Sequence, residues 1–463
     1  MKPVPQRLWR RLGLWLGLGC VTTALSAGEG LEWPQFRGPT GQGIALDEGA
    51  PVHWSETENI AWKTRLPGQG WSSPVVDGDE TWVTAATESG KSLRVICCDT
   101  RTGRIVRNIK VFDVDRPGGV HPKNGHASPT PVLAPNRVYV HFGANGTACL
   151  ERSGRIVWKR MVPYYHHHGS AGSPVLVEDL LVLVCDGMKA PFYDKVPRTG
   201  VESPQFLIAL DAQTGEIRWN TPRESRHSYA TPLVISRQGR RELIAPGGDH
   251  VWAYDAATGV ELWSCRYEGY SVIPRPVTAD GLVYVATGYD SASLLAIELG
   301  GTGDITGSKI RWKLSQGVPF TPSAVVLGPH LYLLSDNGIL SCVARDDGRV
   351  VWKQRLGGNY SASLTAIGQK IYCQSEDGQT HVIRAGDQFE KLAVNRLKGR
   401  TFASLAVTGP RIVLRSDRFL YGLQEGASPP AVEPGLDSSD DPNASPTEEP
   451  PVDRDRSDEG SPQ

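Results

Sequence analysis

The sequence has almost no net charge, and it lacks the motifs of the common enzyme families. Its 49 lysine and arginine residues face 50 aspartate and glutamate residues, so the formal net charge is −1. A balanced chain has no general attraction for nucleic acid or for an anionic membrane. No phosphate-binding loop, dinucleotide fingerprint or nucleophile elbow occurs in a fitting context. We therefore expect no nucleic-acid partner, and without these motifs the sequence indicates no particular enzyme class.

Long apolar runs are scarce, and the one near the amino terminus is short. Basic residues through Arg11 precede the apolar run Leu12–Leu25, and small residues follow up to residue 27. Such a run is too short and too rich in glycine for a permanent membrane span. The pattern predicts a signal peptide over residues 1–27, hence export to the periplasm or cell envelope with no transmembrane span after cleavage. Lipid attachment at Cys20 is the alternative, but Gly17 stands where a lipobox needs leucine.

Cysteine is also sparse, with eight in the whole chain, and loss of Cys20 with the leader leaves an odd number. Most of the others lie inside apolar, strand-like stretches. We expect them to be buried small hydrophobic side chains, and the sequence leaves any pairing open. They are Cys97, Cys98, Cys149, Cys185, Cys265, Cys342 and Cys373.

The carboxyl-terminal segment, residues 426–463, has no apolar periodicity. It contains ten acidic residues and two arginines and is rich in proline and serine. Such a segment cannot bury enough apolar surface to fold. We predict a solvated, disordered acidic tail.

One phrase recurs through the middle of the chain: an apolar strand, a turn of the form Asp-x-x-Thr-Gly, and a strand that carries tryptophan. The clearest copies are LDAQTGEIRW, which ends at Trp219, and YDAATGVELW, which ends at Trp263. Aspartate can bond backbone amides across a turn, and glycine accepts a positive φ, so the strands reverse tightly. We predict that the tryptophans are structural and wedge between neighbouring blades. They are Trp62, Trp158, Trp219, Trp263, Trp312 and Trp352.

The repeat has the length of a propeller blade. From Arg107, which takes the tryptophan position in CDTRTGRIVR, it advances by 51, 61, 44, 49 and 40 residues. These steps are typical of four-stranded blades with variable loops. Eight short segments, here called openers, each precede an apolar strand. The openers are Ser73-Pro74, Thr130-Pro131, Ser173-Pro174, Thr231-Pro232, Ile273-Pro274, Thr321-Pro322, Ala362-Ser363 and Ala403-Ser404.

The fourth strand that the last blade lacks occurs at the start of the repeat region. IAWKTRL, Ile60–Leu66, has the fourth-strand pattern but precedes the first opener, so it should complete the blade that ends at Phe419–Leu423. Such pairing closes the ring and removes exposed sheet edges. We predict an all-β, eight-bladed propeller of four-stranded antiparallel blades over residues 60–425, after a lead-in at 28–59. Seven blades is the alternative.

With these repeats the chain resembles the quinoprotein-like family of pyrroloquinoline quinone (PQQ)-like propellers, from about Ile60 to Leu423. The opening WPQFRGPTGQG, Trp33–Gly43, is similar to the lead-in of exported bacterial members, which are described as similar to BamB, a scaffold of outer-membrane protein assembly. The resemblance implies a non-catalytic scaffold without a cofactor. Its partners would be proteins or peptides, including components of envelope assembly.

The same repeat occurs in PQQ-dependent dehydrogenases, so a PQQ- and calcium-dependent oxidoreductase is the alternative function. Those enzymes hold calcium with carboxylate and amide oxygens beside the quinone. Cys97-Cys98 invites comparison with the adjacent-cysteine disulfide of some of them, but strand alternation puts this pair on the face away from the openers. No calcium set can be assembled from matched positions, so we assign no catalytic, cofactor-binding or metal-binding residue.

The loops that enter the innermost strands are rich in aromatic residues and histidine, which could stack on a ligand or hold a peptide. A small ligand or glycan in this central funnel is a further alternative, and plain packing of these side chains against one another is the structural alternative. The candidates are Trp71, His126, His166, His167, His168, His227, Tyr229, Tyr270, Phe320, Tyr360 and Phe402.

Two loops differ from the rest, one by its three consecutive histidines and the other by its length. Neighbours in an extended chain point to opposite sides, so at most two of the three consecutive histidines could share a metal, and we favour a solvated loop. The long loop Gly187–Gln205 should emerge on the same face, where long loops on repeat scaffolds often make contacts. Its contact candidates are Lys189, Phe192, Tyr193, Asp194 and Arg198.

Overall fold

The computed structural model describes residues 32–46, 49–162, 164, 168–187, 205–290 and 292–428. In these ranges the chain forms a ring of eight antiparallel sheets, each with four strands of one blade. The helical content of the described residues is one 3-10 turn, Glu88–Gly90. The predicted eight-bladed all-β propeller is confirmed. None of the described residues belongs to a helix long and apolar enough to span a bilayer.

The first four blades follow the chain order, each from its innermost to its outermost strand. Blade 1 contains Val75–Asp77, Glu80–Thr87, Ser92–Asp99 and Ile105–Asp113; blade 2 contains Val132–Ala134, Arg137–His141, Thr147–Glu151 and Ile156–Arg160; blade 3 contains Val175–Val177, Leu180–Asp186, Gln205–Asp211 and Ile217–Pro222; blade 4 contains Leu233–Arg237, Arg240–Pro246, His250–Asp255 and Glu261–Arg266.

The other four blades complete the ring, and two extra strands pair in parallel at sheet edges. Blade 5 contains Val277–Ala279, Leu282–Ala286, Leu294–Glu298 and Ile310–Leu314; blade 6 contains Val325–Leu327, His330–Leu334, Ile339–Ala344 and Val350–Arg355; blade 7 contains Thr365–Ile367, Lys370–Gln374, Gln379–Arg384 and Glu390–Arg396; blade 8 contains Ala406–Thr408, Arg411–Arg415, Phe419–Gln424 and Ile60–Arg65; Ile44–Ala45 joins blade 7 and Gly303–Asp304 joins blade 4.

The ring closes through the early strand, as predicted. Ile60–Arg65 pairs antiparallel with Phe419–Gln424, and the register places Ile60 opposite Leu423. A sheet edge in the last blade is thereby covered by a segment that begins the repeat region. Opening the ring would expose this edge.

The repeated tryptophans link each blade to the next one. The Nε1–H of Trp219 donates to the carbonyl of Ala256 in the turn of blade 4 at 3.1 Å. The glycine of that turn, Gly259, has φ of +71°, and a Cβ there would lie 2.6 Å from the indole of Trp219. Turn glycine and tryptophan are therefore partners across the interface. Four more indoles make the same type of bond: Trp62 to Thr100, Trp158 to Ala212, Trp312 to Arg345 and Trp352 to Gly386.

Two interfaces depart from this pattern. Trp263 is buried, but its Nε1 has no acceptor among the described residues, and its strand instead pairs with Gly303–Asp304 from the expanded turn of blade 5. In blade 1 the tryptophan position is occupied by Arg107, whose guanidinium forms an ion pair with Glu80 at 2.9 Å. It also lies over the indole of Trp82, 5.7 Å from the centroid. Across the interface, Nε of Arg107 donates to the carbonyl of Ser153 in the turn of blade 2 at 3.2 Å, so a charged group takes the place of the indole.

A belt of hydroxyl groups joins the innermost strands around the axis. A backbone N–H in one blade donates to a serine or threonine Oγ in the next at 2.9–3.1 Å. In this register the openers of blades 5 and 6 are Arg275-Pro276 and Ser323-Ala324, two residues later than predicted. The prediction was early because Pro274 and Pro322, which precede these pairs, resemble the proline of the other openers. The hydroxyl members are Ser73, Thr130, Ser173, Thr231, Ser323, Ser363 and Ser404; blade 5 contributes Arg275 instead.

The lead-in crosses the end of the central channel opposite the openers. Trp33 exchanges two backbone hydrogen bonds of 2.9 Å with Val76 of blade 1. Further along, Ile44–Ala45 pairs in parallel with the innermost strand of blade 7. Between these points the segment bonds to blades 2, 5 and 6. It therefore runs across the axis and ties several blades together.

Candidate functional site

The candidate site is on the face of the propeller that contains the openers. Each innermost strand starts at this face, so the incoming loops collect around its centre. The turns between second and third strands lie on the same face, because the chain has crossed the blade twice by then. These loops and turns bring six rings from blades 3 to 6 into one series, here called the aromatic arc: His168, Tyr229, His227, Tyr270, Tyr289 and Phe320.

The arc is continuous from ring to ring. His168 contacts His227 with 6.4 Å between centroids, and His227 contacts Tyr270 at 5.1 Å. Tyr270 then meets Tyr289, and Tyr289 meets Phe320, at 5.8 Å each. Edge-on and tilted geometries at these separations are favourable for aromatic pairs. The arc is therefore a cohesive surface of rings.

One end of the arc is covered and the other is open. At the covered end, the hydroxyl of Tyr229 and Nδ1 of His168 share a hydrogen bond of 3.0 Å. The loop between blades 1 and 2 lies over this end, where Asn124 donates to the carbonyl of His168 at 2.7 Å. At the open end, 54% of Tyr289 and 37% of Phe320 are exposed. The open end is the part of the arc that a partner can reach.

The charges beside the arc are mixed in sign. Arg226 lies over the ring of Tyr270, 4.3 Å from its centroid, and bonds to Asp249 at 2.6 Å. The hydrogen bond to Asp249 raises the pKa of Arg226, so this guanidinium stays charged. Burial raises the pKa of Tyr270, so its hydroxyl stays protonated at neutral pH. The backbone N–H of Phe320 donates to Asp336 at 2.7 Å. The surface thus presents a cation, carboxylates and rings side by side.

A second, smaller aromatic cluster lies across the mouth at blades 8 and 1. The rings of Trp71 and Phe402 are 4.6 Å apart, and the guanidinium of Arg400 lies 4.8 Å from the centroid of Phe402. Nε1 of Trp71 donates to the carbonyl of Asn124 at 3.3 Å. The loop that covers the buried end of the arc therefore also holds this cluster.

The predicted funnel residues divide into several groups. Five of them form the arc with Tyr289, and Trp71 and Phe402 form the second cluster. Tyr360 is completely buried in the core between blades 6 and 7, so it does not present its ring at the mouth as expected. His126 packs against Gly90 at the second turn of blade 1, and burial lowers its pKa. His166, His167, Lys189, Phe192, Tyr193, Asp194 and Arg198 lie outside the described residues.

Tyr289 was missed by the sequence analysis because it lies in a turn after a second strand. Only the loops that enter innermost strands were expected to contribute rings. The signal was present, since Gly288-Tyr289-Asp290 follows the strand Leu282–Ala286 and must return on the opener face.

Two features, a cluster of metal-ligating His, Cys, Asp or Glu side chains and an adjacent-cysteine disulfide, are absent from the described residues. None of these residues belongs to a group of three or more histidine, cysteine, aspartate or glutamate side chains that could hold a metal ion. Cys97 and Cys98 are free and buried. Their side chains lie on opposite faces of the sheet: Cys97 packs with Trp82, and Cys98 packs with Trp62. An adjacent-cysteine disulfide is incompatible with this arrangement.

Comparison with known proteins agrees with this architecture. The BamB of Yersinia pestis, an outer membrane protein assembly factor, is 26% identical over 164 residues, which span 33% of this chain and 39% of that relative. The crystal structure of BamB from Moraxella catarrhalis superposes with a TM-score of 0.55 at 16% identity, over 79% of this chain and 99% of that one. Quinohemoprotein alcohol dehydrogenase from Comamonas testosteroni has a TM-score of 0.62 at 12% identity, over 88% and 82%. At such identities the two structures show the shared fold alone.

The family model described as outer membrane protein assembly factor BamB matches residues 38–193, 203–316 and 298–400. These ranges cover well over half of the chain and all eight blades in whole or part. The protein therefore belongs to the BamB family of outer-membrane protein assembly factors.

Proposed function

We propose that this chain is an exported, non-catalytic scaffold that binds a protein or peptide partner during outer-membrane protein assembly. The observation that carries the proposal is the open end of the aromatic arc, where Tyr289 and Phe320 stand exposed and in contact. Family membership supports the assembly context. The amino-terminal leader pattern supports export.

Exposed rings such as these contribute strongly to the binding free energy when a partner covers them. Large rings with few rotatable bonds dominate the energy of many protein interfaces, and neighbouring charges set orientation. Tyr289 and Phe320 come from adjacent blades, and Asp336 holds the backbone of Phe320. The pair is therefore preorganised, so its two side chains lose little further freedom when a partner covers them.

The experiment compares the exposed rings with matched apolar residues on the opposite face. One variant carries Tyr289→Ser and Phe320→Ser. The control carries Ile217→Ser and Val260→Ser, whose side chains are 47% and 60% exposed. A photoreactive residue near position 289 is used to capture partners in an envelope fraction. The partners are then identified, and outer-membrane protein levels are measured in cells that contain only one form.

We expect the arc variant to lose partner capture and to lower outer-membrane protein levels, while the control behaves as the wild type. If the arc variant retains both, the arc is not the docking surface. If loss of the whole chain leaves outer-membrane proteins unchanged, the assembly role itself is wrong. Thermal stabilisation by a small ligand or glycan without protein capture would point to the funnel-binding alternative.

A further inference from the structure

Two buried arginines extend their guanidinium groups into the end of the channel opposite the arc, and neither has a carboxylate partner among the described residues. Arg37 of the lead-in is 1% exposed, and Arg275 of blade 5 is 3% exposed. Arg275 stands where seven other blades place a serine or threonine of the hydroxyl belt. Neither guanidinium takes part in an ion pair of the described chain. Burial of two like charges is costly unless a counter-charge is present.

The hydrogen bonds of the two arginines differ. Each guanidinium nitrogen of Arg275 has an acceptor: Nε donates to the carbonyl of Pro232 at 3.1 Å, and Nη1 donates to the carbonyl of Phe36 at 2.5 Å. Nη2 lies 3.4 Å from Oε1 of Gln35.

Arg37 donates only through Nη2, to the carbonyls of Gln42 at 2.6 Å and Ala324 at 2.5 Å. Its Nε and Nη1 are buried and have no acceptor among the described residues. Unpaired N–H groups of a buried cation are among the most expensive polar atoms in a protein.

The surrounding backbone is built closely around these charges. A Cβ at Gly41 would lie 2.5 Å from Cζ of Arg275, and one at Gly43 would lie 2.7 Å from Nη2 of Arg37. Arg37 itself has φ of +66°, a conformation that costs free energy in a residue with a side chain. The lead-in thus adopts a strained path that brings Arg37 into the channel beside Arg275.

Both arginines remain cations at neutral pH. Burial, with a further contribution from Arg275, lowers the pKa of Arg37 to about 9. Burial alone lowers the pKa of Arg275 to about 9. Both values lie above 7, so a positive pair is present in the folded protein.

We propose that this channel end is a binding site for a small inorganic anion, held by Nε and Nη1 of Arg37 beside the charge of Arg275. The required ligand is compact and negative, either a halide or an oxyanion such as phosphate. Binding would supply a counter-charge to the pair and fasten the lead-in to the ring, because Arg37 belongs to the lead-in and Arg275 to blade 5.

The direct test is crystallographic and uses the full chain. Crystals grown in sodium bromide should show an anomalous peak in hydrogen-bonding contact with Nε or Nη1 of Arg37. Addition of phosphate to the same crystals distinguishes the ligands, since a preferred oxyanion displaces the bromide peak. Absence of both a bromide peak and phosphate density at Arg37 overturns the proposal.

The solution test measures urea unfolding in bromide or phosphate against gluconate at equal ionic strength. At an anion concentration of 100 times Kd, we expect the unfolding constant of the wild type to fall about 100-fold. Arg37→Met and Arg275→Met should lose this effect, whereas Arg101→Met, which removes an exposed guanidinium outside the arc, should retain it. An equal anion effect in all four proteins refutes the site. If both methionine variants fail to fold, the crystallographic result on the wild type decides.

Discussion

The contact between turn glycine and tryptophan makes a sharp prediction for the substitution Gly259→Ala. The new Cβ would lie 2.5 Å from Oγ1 of Thr221 and 2.6 Å from the indole of Trp219, closer than real Cβ contacts. Gly281 provides a matched control, because its φ of +78° resembles the +71° of Gly259 while its Cβ would meet nothing within 4 Å. The two alanine variants share the same kind of backbone strain and differ in the steric contact.

The two alanine substitutions should differ clearly in the free energy of unfolding that they cost. A positive φ costs an alanine about 1–2 kcal/mol at either position. At Gly259, forcing the indole away adds roughly 1–3 kcal/mol of overpacking. Weakening the hydrogen bond from Trp219 to Ala256 adds about 1 kcal/mol. We therefore expect a loss of about 3–6 kcal/mol for Gly259→Ala against about 1–2 kcal/mol for Gly281→Ala.

The assay is equilibrium urea unfolding followed by tryptophan fluorescence, with the midpoint and slope fitted for each variant. A double variant, Gly259→Ala with Trp219→Leu, should lose less stability than the sum of its single changes, because the smaller side chain removes the steric contact. Equal losses for Gly259→Ala and Gly281→Ala would refute the partnership of glycine and indole. Strict additivity in the double variant would refute it independently.

Three further predictions follow from buried groups. Burial lowers the pKa of His141 to about 3, below its unfolded value near 6.5. The contribution of the neutral imidazole to folding stability is therefore present above pH 6.5 and is lost as the pH falls. Between pH 6.5 and 4, the unfolding free energy of the wild type, measured in urea, should drop by about 3 kcal/mol more than that of His141→Gln. Arg223→Met leaves Asp186 buried without its partner and should cost about 3–5 kcal/mol, while the double variant with Asp186→Asn should cost less, which a double-mutant cycle measures. The seven described cysteines are free and buried, so a thiol reagent should label none in the native protein and all in urea, and protected thiols in urea would contradict this.

Much of the architecture followed from local sequence patterns. The spacing of the Asp-x-x-Thr-Gly turns and the eight openers predicted the blade count, and the early Trp62 strand predicted the closure. These features are readable because a blade is built from strands adjacent in the chain, joined by turns whose residues report their own geometry. The openers of blades 5 and 6 were placed two residues early because a Pro in each region resembled the repeat without sharing its register.

The candidate site was only partly predictable. The sequence placed loops on one face but could not show that Tyr360 is buried while Tyr289 is exposed in contact with Phe320. That difference depends on how a loop of one blade lies against its neighbour, and no periodicity encodes it. His168 likewise meets His227 and Tyr229 only after two blades have packed.

The sequence by itself determined the repeating unit, the number of blades and the strand that closes the ring, since each depends on contacts between neighbouring segments. Tertiary structure alone decided that Gly259 supports Trp219, that six rings form an arc, and that Arg37 meets Arg275 in the channel. These partners come from different blades or from the lead-in, up to 238 residues apart in the numbering. Their meeting depends on the rotation between blades and the path of the lead-in, which are set by packing of the whole ring.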